Sequence, residues 1–268
     1  MPPSLRILGS RIDPLGSRNA LDRIRIFLNS PGVRHVVTGN TLMVLAAEKD
    51  RALRDILEQA ALVVPESWGI RWASRLYGHA LAEFTPGIDL MREICRLGER
   101  SGHSVYLLGS APGVAEEAAQ ALLRQFPKLN IVGTSHGFFS SPHPGLAPSL
   151  SQRERVPEGR VRQSLSEVDV IRRIRDSRPS LLFVGMGMPA QEKWIAAHLE
   201  ELGVPVVMGV GGSFDVLSGR LNRAPVWLRR LGIEWSWRLL QEPWRWRRIA
   251  QLPVFAWKVL REKQHGRW

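Results

Sequence analysis

The chain has 268 residues, of which 44% are hydrophobic and 23% charged, a composition that is typical of a globular protein and excludes a disordered chain. Its one cysteine, Cys95, excludes an intramolecular disulfide framework and a zinc site built from several cysteines. No apolar run reaches the roughly 18 residues needed to cross a bilayer, and the N-terminus lacks an apolar signal core, so we expect a cytoplasmic protein.

Short Val-, Ile- and Leu-rich runs alternate with amphipathic stretches along residues 1–219. Six of these runs are predicted strands, at residues 35–38, 62–65, 105–108, 130–132, 181–184 and 204–210. Predicted helices between them include residues 90–100, 114–125 and 191–202. Continuous apolar strands that alternate with helices are typical of βαβ units around a parallel sheet. We therefore predict an α/β fold, Rossmann-like, with a mostly parallel sheet flanked by helices.

Two segments depart from this alternation. Residues 140–159 are rich in Pro, Ser and Gly and predict a flexible, exposed insertion. From residue 220 onward the strand-like runs stop and helix-period sequence follows. We predict an α/β body at residues 1–219 and a helical appendage at residues 220–268.

The appendage carries most of the excess positive charge. The formal net charge is +12, and residues 220–268 contribute twelve Lys and Arg against three Glu, together with seven of the ten tryptophans. Such a segment indicates an anionic partner, either a nucleic acid or the face of a phospholipid bilayer.

Three predicted strands end in small residues, where an open α/β sheet binds its ligands. These ends contain Gly109 and Ser110, then Gly185 and Gly187, then Gly211 and Gly212. One such turn often serves tight geometry alone, but three together favour a nucleotide or diphosphate ligand. The carboxylate that a redox dinucleotide site requires is missing, as are a P-loop and an Asp-x-Asp sequence, and nothing requires a metal or a cofactor.

Candidate catalytic groups follow the first two predicted strands. Thr38 and Asn40 offer a hydroxyl and an amide after one strand, and Glu66 follows the next. Burial at a strand end raises the pKa of a carboxyl group and suits it to general-base catalysis. The alternative is a carboxylate that only caps a helix, and spacing does not decide between the two.

The sequence resembles the WecG/TagA/CpsF family, glycosyltransferase family 26, over about residues 30–255 apart from the insertion. The resemblance is carried by these motifs in order: Thr38-Gly39-Asn40, Pro65-Glu66-x-x-Gly69, Pro86-Gly87-Ile88-Asp89, Gly185-Met186-Gly187-x-Pro189-x-Gln191-Glu192-Lys193-Trp194, Gly209-Val210-Gly211-Gly212-x-Phe214-Asp215, Arg223-Ala224-Pro225-x-Trp227 and Glu242-Pro243-x-Arg245-x-x-Arg248. In the family the base is an Asp in a Pro-Asp-Gly context. Here Glu66 stands at that place and Ser67 follows it.

The resemblance implies an inverting, membrane-peripheral glycosyltransferase of cell-surface polysaccharide synthesis that needs no metal. Its donor would be a UDP-sugar carrying N-acetylmannosamine, the uronate of that sugar, or glucose, and its acceptor a sugar on polyprenyl diphosphate. Glu66 would be the base, and Thr38 and Asn40 would orient hydroxyl groups. The donor-binding candidates are Gly109, Ser110, Gly185, Gly187, Gln191, Gly211, Gly212 and Asp215. The diphosphate- and acceptor-binding candidates are Arg220, Arg223, Arg238, Arg245 and Arg248.

The alternation of Trp and Arg in the appendage is typical of a helix that lies among lipid headgroups. We expect a peripheral position on the inner face of the cell membrane, with about half of the appendage tryptophans packed against the body. A basic nucleic-acid-binding protein and a non-catalytic nucleotide-binding protein are the alternatives. No recognised nucleic-acid motif is present, so we expect no nucleic-acid partner. The oligomeric state is open, and self-association that orders the appendage over the site is compatible with the sequence.

Overall fold

A computed structural model of the chain describes residues 4–79, 81, 84–139 and 165–265. The predicted insertion at residues 140–159 and Trp268 lie outside the described residues.

A six-stranded parallel sheet forms the centre of the described structure, in the order β4-β3-β8-β7-β5-β6. Its strands are β3 (Arg34–Gly39), β4 (Leu62–Pro65), β5 (Val105–Gly109), β6 (Ile131–Ser135), β7 (Leu181–Gly185) and β8 (Val206–Gly209). All five neighbouring pairs are parallel. The predicted fold class and all six predicted strands are confirmed.

Helices cover both faces of this sheet. The helices of the body are α1 (Ser17–Leu28), α2 (Thr41–Lys49), α3 (Arg51–Gln59), α4 (Trp68–Leu76), α5 (Gly87–Ser101), α6 (Val114–Gln125), α7 (Glu167–Ser177), α8 (Ala190–Leu202) and α9 (Ser213–Leu217). Alternate residues of one strand enter different cores: Val36 packs with α1 and α5, and Val37 packs with α2 and α3. Burial on both faces is the reason that most residues of the inner strands are apolar.

The sequence interpretation missed a short antiparallel hairpin at the N-terminus, β1 (Leu5–Ile7) and β2 (Ser10–Ile12). Its turn places Leu8 and Gly9 at positive φ, 49° and 73°. Turns of this kind usually carry Asn-Gly or Asp-Gly because a leucine side chain is strained there. The turn therefore has no clear signature in the sequence.

The ends of two strands differ from the prediction for local reasons. β8 begins at Val206 and not at residue 204, after Pro205, which has no N–H to donate to a neighbouring strand. β6 continues to Ser135, three residues beyond the predicted end, and it is the edge strand next to β5.

The C-terminal segment is helical and packs on the body. It contains α10 (Val226–Arg230), α11 (Glu234–Gln241), a 3₁₀ turn (Pro243–Arg245), α12 (Trp246–Ile249) and α13 (Leu252–Gln264). Phe255 and Val259 of α13 are buried in the same core as the N-terminal hairpin. Glu262 accepts hydrogen bonds from the Leu8 N–H, at 3.0 Å, and from the Tyr77 hydroxyl. α13 is therefore fixed to the body by apolar and polar contacts.

Candidate active site

A cavity of about 810 Å³ lies at the carboxyl ends of β3, β4, β7 and β8, and the C-terminal helices form its far wall. Twelve of the sixteen predicted site residues line it: Thr38, Asn40, Glu66, Gly187, Gln191, Gly211, Gly212, Asp215, Arg223, Arg238, Arg245 and Arg248. Pockets of this size hold small ligands and cofactors. Residues far apart in the sequence thus meet at the edge where parallel sheets bind ligands.

Glu66 lies one residue beyond β4 and its carboxylate is held from two sides. Oε1 accepts the backbone N–H of Gly87, the first residue of α5, at 3.0 Å. Oε2 accepts the Asn40 amide Nδ2 at 3.2 Å. The N-terminus of a helix carries partial positive charge, so the position at α5 favours the ionised carboxylate.

Asn40 has two roles at once. It is the N-cap of α2, where Oδ1 accepts the N–H groups of Leu42 and Met43, both at 3.1 Å. These two bonds fix the orientation of the amide, so its Nδ2 donor faces Glu66. Capping residues are rigid, and Asn40 therefore fixes the direction of one carboxylate oxygen.

The alternative interpretation, in which Glu66 only caps a helix, agrees with one of its contacts and not with the other. The N-cap of α4, the helix that follows Glu66, is Ser67, whose hydroxyl accepts the Ile70 N–H at 3.4 Å. Glu66 does not cap that helix, but it does accept the first N–H of α5. Its second oxygen meets a side chain at the cavity wall, which a simple cap does not require.

Burial raises the pKa of Glu66 above its usual range. The hydrogen bonds from Asn40 and Gly87, the positive charge of Arg238 and a hydrogen bond from Thr38 act in the opposite direction. A carboxyl group with a raised pKa holds a proton more strongly, as a general base must.

Sequence reasoning missed Gly87 as a site residue. A Cβ at this position would come within 2.8 Å of Glu66 Oε1 and 3.5 Å of Thr38. A larger residue at position 87 would displace the Glu66 carboxylate from its contact with α5. The signal was present, because Pro86-Gly87 belongs to the motifs of the resemblance.

Gly109, Ser110 and Gly185, predicted to bind the donor, are absent from the cavity wall. Gly109 and Gly185 lie opposite each other at the ends of β5 and β7, and a Cβ on Gly109 would come within 2.5 Å of the Gly185 backbone. Ser110 is buried, and its N–H donates to the Gly185 carbonyl at 2.8 Å. These residues bring two strand ends together, so their positions do not support the predicted donor contacts.

Three of the predicted arginines belong to a charged wall of the cavity. Arg238 donates to the Gly212 carbonyl at 3.1 Å and lies 3.9 Å from the buried Glu242 carboxylate. Arg245 pairs with the same carboxylate at 2.6 Å. Glu242 thus holds two guanidinium groups beside the glycine loop after β8, and Arg248 also lines the cavity.

The other two predicted arginines differ from each other. Arg223 lines the cavity and makes a two-pronged pair with Asp89 on α5. Arg220 does not line the cavity and pairs with Glu117 on α6, with both bonds at 2.8 Å and both side chains well exposed. The predicted diphosphate contact of Arg220 is therefore not supported, because its guanidinium is engaged on another surface.

Comparison with known proteins identifies the family. The sequence profile of the glycosyl transferase WecG/TagA/CpsF family matches residues 5–267. The chain belongs to the WecG/TagA/CpsF family. Two relatives, from Staphylococcus aureus strains MW2 and NCTC 8325, are each 31% identical over 263 residues, which covers 96% of this chain and 92% of the relative. Both are named N-acetylglucosaminyldiphosphoundecaprenol N-acetyl-beta-D-mannosaminyltransferase. The protein is a glycosyltransferase, as the sequence motifs predicted.

In this member of the WecG/TagA/CpsF family the C-terminal segment completes the cavity with apolar side chains. Leu252, Phe255 and Ala256 of α13 line it, together with Trp68 and Trp72 of α4. The cavity thus has a charged wall near Arg238 and an apolar wall at α13. Sequence reasoning expected the appendage to supply arginines and missed its apolar contribution, because the pattern of α13 alone does not show what it packs against.

The outer surface of the same segment exposes aromatic side chains. Five tryptophans are 43–61% exposed: Trp227, Trp235, Trp244, Trp246 and Trp257. Trp237 is half-buried. The expectation that about half of the appendage tryptophans pack against the body is wrong for the described residues. Four of the five exposed tryptophans lie in the segment of α10–α12, and Trp257 lies on the exposed side of α13, whose Phe255 and Val259 are buried in the core.

None of the helices within the described residues has the length and apolarity required to cross a bilayer.

Proposed function

We propose that this glycosyltransferase moves a sugar from a UDP-sugar to a sugar carried on polyprenyl diphosphate, with inversion at the anomeric carbon and without a metal ion. The observation that carries the proposal is Glu66, held by Asn40 and Gly87 at a cavity that Arg238 and Arg245 also line. The names of the two relatives support the class of acceptor and N-acetylmannosamine as the transferred sugar.

The reaction needs one base and one leaving group on opposite faces of the donor sugar. Glu66 takes the proton of the acceptor hydroxyl as its oxygen forms a bond to the anomeric carbon. The bond from that carbon to the diphosphate oxygen breaks, and the electron pair leaves with UDP. Attack opposite the departing group inverts the anomeric configuration.

Guanidinium groups stabilise the negative charge that develops on the departing diphosphate. Arg238, Arg245 and Arg248 are suited to this, because Glu242 and the Gly212 carbonyl already orient two of them. The glycine loop after β8 lines the same cavity. We propose that Thr38 and Asp215 contact sugar hydroxyl groups from the cavity wall.

Product analysis tests the reaction directly. The purified protein is incubated with UDP-N-acetylmannosamine, its uronate, or UDP-glucose and an N-acetylglucosaminyl-diphosphoryl-polyprenol acceptor, with and without EDTA. We expect one donor to give UDP and a disaccharide lipid with inverted anomeric configuration, at a rate that EDTA does not change. Retained configuration, or complete loss of activity in EDTA, contradicts the proposed mechanism.

We further propose that α10–α12 dock the enzyme on an anionic membrane from the cytoplasmic side. The exposed tryptophans and the basic charge of residues 220–268 support this, because aromatic rings favour the headgroup layer and arginines pair with lipid phosphates. Flotation with phosphatidylglycerol vesicles, compared with phosphatidylcholine vesicles and a single-stranded oligonucleotide at the same salt concentration, tests it. Binding to the oligonucleotide alone favours a nucleic-acid partner instead.

A further inference from the structure

One buried glutamine joins the two glycine loops of the cavity. Gln191, in the first turn of α8, is 3% exposed. Its Oε1 accepts the N–H of Gly187 at 3.1 Å and the N–H of Gly211 at 2.9 Å. These glycines follow β7 and β8, so one carbonyl oxygen fixes the distance between the loops. This bond pattern requires the amide to present its oxygen, and not its nitrogen, to the loops.

The neighbouring carboxyl group sets that orientation. Glu192 is fully buried, and its Oε1 accepts Gln191 Nε2 at 2.8 Å. Space for the pair comes from Gly209, where a Cβ would lie 2.5 Å from Gln191 Nε2 and 3.0 Å from Glu192 Oε1. Burial raises the pKa of Glu192 to about 7, and the nearby Glu66 adds to this effect. Burial of a carboxyl group is costly, and the hydrogen bond from Gln191 offsets part of that cost.

We propose that Glu192 is a positioning residue for donor binding: it holds the Gln191 amide so that Gln191 keeps the loops after β7 and β8 at the spacing that receives the nucleotide diphosphate. Glu192 does not line the cavity and acts through Gln191 and the two glycine N–H groups. The choice of UDP as the probe rests on the proposed function, but the effect on the loops does not.

Two conservative variants separate the effect of side-chain length at position 192 from the effect of its charge. Glu192→Gln keeps the side-chain length and an acceptor oxygen for Gln191, while it removes the charge. Glu192→Asp keeps the carboxylate but withdraws it by about one carbon–carbon bond, roughly 1.5 Å, which breaks a 2.8 Å hydrogen bond. Glu200→Asp makes the same change at an exposed position of α8 and is the matched control.

Calorimetry with UDP and hydrogen–deuterium exchange of residues 185–190 and 209–213 are measured on all three variants and the wild type. We expect Glu192→Asp to bind UDP at least fivefold more weakly and to exchange faster in both loops, whereas Glu192→Gln and Glu200→Asp stay within about twofold of wild type. Circular dichroism melting confirms that each variant is folded. If Glu192→Asp is unstable, Gly209→Ala takes its place, because the added Cβ on β8 would displace Gln191 and Glu192. It should weaken UDP binding and raise loop exchange as expected for Glu192→Asp.

The outcomes are distinct for the two proposals. Unchanged loop exchange, or wild-type affinity for UDP, in a folded Glu192→Asp overturns the positioning role. Equal losses in Glu192→Gln and Glu192→Asp also overturn it, because charge and not reach is then what matters. Failure of the wild type to bind UDP refutes the proposed donor, and the exchange rates then decide on Glu192 alone.

Discussion

Replacement of Gly87 by alanine tests whether the position of the Glu66 carboxylate governs the rate. The added Cβ would lie 2.8 Å from Glu66 Oε1, whereas ordinary contacts begin at 3.4 Å, so the carboxylate must move by about 0.6 Å. A misplacement of about 1 Å in an active site costs on the order of a hundredfold in rate. We therefore expect kcat to fall by about tenfold or more.

The effect on folding should be small. Gly87 begins α5 at an ordinary φ, and alanine is a better helix former than glycine. The free energy of unfolding should change by less than about 1 kcal/mol, measured by urea denaturation. The hydrogen bond from the Gly87 N–H lowers the pKa of Glu66, and the displaced carboxylate loses much of this bond. The pKa of Glu66 should therefore rise, and the acid limb of the rate profile should move to higher pH.

A double-mutant cycle with Glu66→Asp makes the test specific. Aspartate is one methylene shorter, so its carboxylate no longer meets a Cβ at position 87. We expect Gly87→Ala to cost less than about threefold in the Glu66→Asp background, a clear departure from additivity. Gly98→Ala, within the same helix and distant from Glu66, controls for a general effect of crowding α5, because its Cβ would lie 3.3 Å from the His103 carbonyl and from Leu129. Additive effects, or full activity of Gly87→Ala, would refute the assigned geometry.

Three other outcomes are expected. Burial raises the pKa of Glu66, so kcat/KM should fall as the pH drops through a value above the usual glutamate range. The positive charge of Arg238 lowers this pKa, so Arg238→Met should move the fall in the pH-rate profile to higher pH. A single limb at the ordinary glutamate pKa in both proteins contradicts this. Tyr77→Phe and Glu262→Gln should each lower the free energy of unfolding by about 1–3 kcal/mol in urea melts, because each weakens the contact that fixes α13 to the body; an unchanged free energy of unfolding argues against this. Arg220→Ala should leave UDP affinity within about twofold of wild type in calorimetry, and a tenfold loss would restore its predicted role.

Buried strands were predictable because burial on both faces favours apolar residues, which form most of each inner strand. The approach of Thr38, Asn40 and Glu66 was predictable for a related reason: parallel neighbours bring their carboxyl ends to one edge. These inferences need only the local sequence and the rules of sheet topology.

Other features depend on contacts between distant segments and were not predictable from local patterns. Gly109 and Gly185 look like ligand-binding glycines, and only the fold shows that they also allow the close approach of two strands. Arg220 looks like its neighbour Arg223 in sequence, and only the fold shows that it faces α6. In the sequence alone Glu192 resembles an exposed charge on a helix, and only the fold shows that it is buried.

The role of Glu66 as the base is tested by the rate of Glu66→Gln in a single-turnover transfer assay. Glutamine retains the shape of the side chain and an acceptor for the Gly87 N–H, but it does not accept a proton. We expect a loss of at least a hundredfold in the transfer rate, with UDP affinity within about threefold of wild type and an unchanged fold. A transfer rate within about threefold of wild type would contradict the assignment of Glu66 as the base.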